Sequence, residues 1–175
     1  MSSNNAPSRP PSNQPESARS GPGVRVDPQG VYLILSGQGR PDVFHWGVFI
    51  SQTDQVGILY HQALRGSEWT FVMESQDVSS FPDLLVALKV GCVDSIEEQW
   101  MQYYRDRIRE TKVTKEFRCK NWALAAVREL ADSGVIGLQP NEYIIDRIEE
   151  EAFRYARDNY LMNVKRVYLS QHCVS

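Results

Sequence analysis

The sequence predicts an α+β protein, because strand-like segments come first, helix-like segments follow, and the connectors between the strands are short. "GVYLILSG" (30–37) is an apolar run stopped by the Gly- and Pro-containing "GQGRPD". "FHWGVFIS" (44–51), "GILYHQAL" (57–64) and "WTFVMESQ" (69–76) follow closely enough that an antiparallel β-meander packed against helices is the expected architecture. The next run, "FPDLLVALKVGCVDS", shows no clear period and reads equally as a short helix or a strand.

Three helices are expected after it. "SIEEQWMQYYRDRIRE" (95–110) opens with a serine and acidic residues and closes with basic ones, an order that suits the helix dipole. "FRCKNWALAAVRELADSG" (117–134) carries an apolar stripe and stops at Gly134. "QPNEYIIDRIEEEAFRYARDNY" (139–160) is opened by Pro140 and Asn141, and Asp146, Glu149, Glu150 and Glu151 read as its solvated face.

The chain of 175 residues is long enough for one domain with a real core and short for two. Residues 1–24, rich in Ser, Pro, Asn and Gly, are expected to be a disordered tail, leaving 25–175 as a single domain. A formal net charge of -3 argues against a nucleic-acid partner, which needs a concentrated basic face. No run approaches the roughly 18 apolar residues of a membrane span. The N-terminus also lacks the apolar stretch of a signal peptide, so a cytoplasmic location is expected. Cys92, Cys119 and Cys173 are odd in number and widely spaced, which suggests neither a disulfide framework nor a zinc site.

The residues that could carry chemistry are few. Alternation along 44–51 puts Phe44, Trp46, Val48 and Ile50 on one face and His45, Gly47, Phe49 and Ser51 on the other. A hairpin that closes Ser51 on Gly57 sets Gly47 opposite His61 and makes His45 its diagonal neighbour, at roughly 7–8 Å. Gly47 is then expected to leave open space beside the two imidazoles. Cys119 lies in the expected first turn of its helix, where unpaired N–H groups and the dipole favour a thiolate. It also shares an apolar stripe with Trp122, Ala123, Ala126, Val127 and Leu130, so a small core residue is the alternative.

The order of His on one strand, His on the next, and Cys opening a later helix resembles the circularly permuted papain-like (NlpC-like) cysteine enzymes. The likeness is greatest to the lecithin:retinol acyltransferase and phospholipase/acyltransferase group. Segments of the type "HWAIYVG", "VIHL" and "NCEHFV" in that family are matched in order by "HWGVFI", "GILYHQAL" and "RCKNWAL", over roughly Val31 to Gly134. The resemblance implies that His45 is the base, His61 its orienting partner and Cys119 the nucleophile. Arg118 replaces the family's asparagine before the cysteine, and its guanidinium, with Gly47, is a candidate substrate contact. The implied function is a thiol-dependent hydrolase or acyltransferase on an acyl or amide bond, working through a thioester and needing no cofactor or metal. Two alternatives are an isopeptidase of the PPPDE type and a non-catalytic interaction module on the same fold.

Overall fold

The structure is a computed structural model and describes residues 23–174. Residues 1–22, and with them nearly all of the expected tail, lie outside the described residues. Val24, the last tail position, packs against a core cluster and so belongs with the folded part.

Five strands form as one hairpin series and a crossing return: β1 (Gly30–Arg40), β2 (Val43–Ser51), β3 (Val56–Arg65), β4 (Glu68–Asp77) and β5 (Leu84–Cys92). Helices α1 (Glu98–Arg109), α2 (Cys119–Asp132) and α3 (Glu142–Met162) follow, and a short strand, β6 (Arg166–Leu169), closes the chain. They make one six-stranded sheet in the order β4-β3-β2-β1-β5-β6. Every neighbouring pair is antiparallel except β5 and β6, which run parallel. The α+β expectation therefore holds in its coarse form, with a sheet more extensive than a four-strand meander. Among the described residues no helix is long and apolar enough to cross a membrane.

The undecided run after β4 is β5, and its lack of period has a physical cause. β5 pairs with β1 on one side and β6 on the other, and both of its faces are covered, so nearly every position is apolar. β6 goes unforeseen because "RVYL" is four residues long and depends on β5 for its register.

Alternating residues feed two cores. Val31, Leu33 and Leu35 of β1 join Phe44, Trp46, Val48 and Ile50 of β2 and Tyr60 of β3 beneath the apolar faces of the three helices. On the reverse face Tyr32, Ile34, Phe49 and Leu59 pack with Val26, Val78 and Leu84, under the chain segment that leads into β1. Trp46 and Trp122 both lie in the helix-side core, as scaffold.

α3 is anchored by buried polar side chains. Asn159 donates from Nδ2 to the Leu85 carbonyl at 2.9 Å and accepts from the Tyr168 hydroxyl at 3.0 Å, linking α3 to β5 and β6. Glu151 departs from the solvated face expected for it. It is buried, accepting from the Ser170 hydroxyl at 2.8 Å and the Gln171 N–H at 3.2 Å, because the chain after β6 folds back over that position.

Candidate active site

Strand register brings the two histidines together. β2 and β3 pair with Ser51 opposite Gly57 and Gly47 opposite His61, the register that puts His45 and His61 on one face as diagonal neighbours. The rings stand edge to face, with centroids 5.0 Å apart, and His45 Nε2 lies 2.9 Å from His61 Nδ1. On the far side of His61 its Nε2 lies 3.1 Å from Oε1 of Glu74. Three side chains from β2, β3 and β4 thus form one chain of hydrogen bonds across the sheet.

Glu74 is absent from the sequence-based set, although its signal is available. Extending the hairpin arithmetic one strand further pairs His61 with Val72, and Glu74, two residues on, falls on the same face.

Gly47 does not leave the open space expected of it. A Cβ placed there would meet the Tyr60 carbonyl oxygen at 3.1 Å, Leu59 Cδ1 at 3.2 Å and His61 Cβ at 3.3 Å. The missing side chain lets β3 and the His61 side chain close in, so His61 itself occupies the room.

Burial holds the His45 imidazole neutral. Desolvation is the largest influence, the neighbouring His61 adds to it and Glu74 opposes it, and together they push the pKa down from 6.5 to about 4.

Cys119 is the first residue of α2, with Arg118 as its N-cap residue in extended conformation. Aromatic pairs fix where this helix starts: Phe117 packs on Trp69 and Trp122 on Phe71, with centroids 5.9 Å apart in each case. Asn121 ties the approach down further by donating from Nδ2 to the Glu116 carbonyl at 2.7 Å. The first intrahelical bond runs from Trp122 N–H to the Arg118 carbonyl. The N–H groups of Cys119, Lys120 and Asn121 therefore precede the helical ladder, and no side chain of the N-cap residue takes them up.

The thiol is half-buried against the helix-side core, and its hydrogen-bond acceptor is the carbonyl oxygen of Phe44 at 4.0 Å. Phe44 immediately precedes His45. Among the described residues no hydrogen bond joins the thiol to either imidazole, and His45 lies on the strand face that carries Phe49, opposite the helices. The β2–β3 ladder ends at Gly47 and His61, leaving residues 43–46 of β2 with no β3 partner. Cys119 meets β2 within this stretch, at Phe44.

Arg118 points to solvent, paired with Glu116 at 3.1 Å, with both side chains largely exposed. Cys92 and Cys173 are free thiols, one exposed at the end of β5 and one half-buried after β6. No group of three or more His, Cys, Asp or Glu side chains able to hold a metal occurs among the described residues. No family model matches the chain, and neither a curated protein nor a solved structure matches it.

Proposed function

We propose that the protein is a thiol-dependent hydrolase or acyltransferase on a permuted papain-like fold, with Cys119 as nucleophile, His45 as base and His61 as the residue that orients the base. The observation that carries this reading is the convergence at one end of the β2–β3 ladder. The imidazole pair is held at 2.9 Å, and the thiol at the start of α2 sits 4.0 Å from the carbonyl of the residue before His45. The reading has the thiol, which arrives from the helix side, reach the ring on the other face past residues 43–46 of β2, which pair with β1 but have no β3 partner.

His45 Nε2 is engaged with His61, so Nδ1 is the nitrogen that takes the thiol proton. Sulfur attacks the acyl carbonyl as that proton moves to Nδ1. The tetrahedral oxyanion is met by the unladdered N–H groups at the start of α2. The proton passes from His45 to the leaving alcohol or amine, and the carbon–heteroatom bond breaks to give the thioester. Water or a second acceptor then releases the acyl group, giving its own proton back through His45. Because burial favours the neutral imidazole, His45 rests with a lone pair free to accept a proton as the sulfur attacks.

An activated acyl ester, p-nitrophenyl butyrate, tests the reading. The expected result is a burst of p-nitrophenol, with one butyryl group found on Cys119 by mass spectrometry. Cys119→Ser and His45→Ala should each lose the burst, with rates down by about a hundredfold or more. Acylation spread over Cys92, Cys119 and Cys173 alike would contradict the proposal and leave the interaction-module reading in its place.

A further inference from the structure

We propose that Glu74 is a positioning residue that sets the tautomers of both histidines, so that the unprotonated nitrogen of His45 is Nδ1, the one turned away from His61. The inference rests on the proposed function for its purpose, and on hydrogen-bond geometry alone for its content.

What each group can donate fixes where the protons sit. A carboxylate offers only acceptor oxygens, so the 3.1 Å contact between Glu74 Oε1 and His61 Nε2 requires the proton to sit on His61 Nε2. A neutral imidazole carries one N–H, which leaves His61 Nδ1 as an acceptor. His45 Nε2, 2.9 Å away, must then be the donor. His45 in turn has its lone pair on Nδ1. Were the Glu74 carboxylate absent, either direction of the His45–His61 bond would be allowed, and the reverse direction puts the proton on His45 Nδ1, where a base has nothing to accept with. A carboxylate on an edge strand thus decides the competence of a nitrogen two hydrogen bonds away.

Glu74 suits this role rather than a structural one. It lies on β4, at the edge of the sheet, with its side chain half exposed, so its removal takes little from the core. Val72, directly opposite His61, and Leu59, directly opposite Glu74, keep the register when the carboxylate is changed.

Long-range nitrogen–proton correlation spectra of the histidine rings, taken on the full chain near neutral pH, test the assignment directly. The wild type should show His45 with Nδ1 unprotonated and Nε2 protonated, and His61 with the same pattern. Glu74→Ala should shift His45 Nδ1 toward the protonated position as the reverse direction becomes populated. Glu74→Gln, whose side-chain amide can either accept from or donate to His61 Nε2, no longer enforces one direction and should also let His45 Nδ1 move toward the protonated position. A wild-type His45 protonated on Nδ1, or a tautomer unchanged in Glu74→Ala, overturns the proposal. Backbone amide spectra of each variant show that the fold is kept. None of these signals depends on a reaction at Cys119, so a failure of the hydrolase reading appears separately, as a thiol indifferent to His45→Ala with the tautomers as described.

Discussion

The imidazole of His45 links its own protonation to the stability of the fold. Its pKa is about 4 in the folded protein against 6.5 for the free side chain, chiefly because burial disfavours the charged ring. Between those values the unfolded chain binds the proton and the folded chain does not, so stability falls as pH drops from 6.5 toward 4 and its full contribution is present above 6.5. Thermal unfolding across that range should therefore show a decline in the wild type that is reduced in His45→Asn, which has no proton to take up there. Equal pH dependence in the two proteins would mean that the ring is not held neutral. At this scale types and spacing are legible: chain order singles out His45, His61 and Cys119 as candidates, whereas Glu74 needs a strand register that only becomes definite once β3 and β4 are paired. Glu151 shows the converse, since an acidic run gives no sign that one member will be covered by residues after β6.

The β2–β3 hairpin is the element on which the histidine pair depends. Its register is legible because side chains alternate with period two, and a slip by one residue would send the large apolar residues of β2 to the wrong core. Gly57 helps hold it: a Cβ there would collide with the Ile50 carbonyl oxygen and lie 2.7 Å from Phe49 Cζ. Gly57→Ala should cost about 1–3 kcal/mol in urea unfolding, the range typical of overpacking, and should perturb the His45 and His61 ring signals. A variant as stable as the wild type would show that the hairpin opens at that end without strain. Helix α2 was legible in its apolar stripe and in its glycine stop, where Gly134 adopts φ of +72°. What fixes its start is long-range: Phe117 and Trp122 rest on Trp69 and Phe71 of β4, contacts to which local periodicity is blind.

Across the whole molecule, the sheet is covered by helices on one face and by the chain leading into β1 on the other, and the last strand is added in parallel beside β5. Reading strands first and helices later captures the class but misses this return, because β6 is recruited by β5 and by α3 rather than by its own sequence. Asn159 is the joint: fully buried, it spans from the Leu85 carbonyl to the Tyr168 hydroxyl. Asn159→Ala should destabilise the protein by about 1–3 kcal/mol, the cost of leaving buried polar groups unpaired. Hydrogen exchange should quicken first in β6 and in the α3 residues beside it. Protection unchanged in β6 would show that the strand docks without this joint.

In a working Cys–His pair the thiol at the start of α2 is served by the imidazole on β2. Alkylation of Cys119 by iodoacetamide at neutral pH, followed residue by residue in wild type and His45→Ala, measures this most directly. Cys119 should react faster than Cys92 and Cys173 in the wild type and should slow by about a hundredfold in His45→Ala, within the range a positioned base contributes. A Cys119 that reacts like the other two thiols and is indifferent to His45 would contradict it.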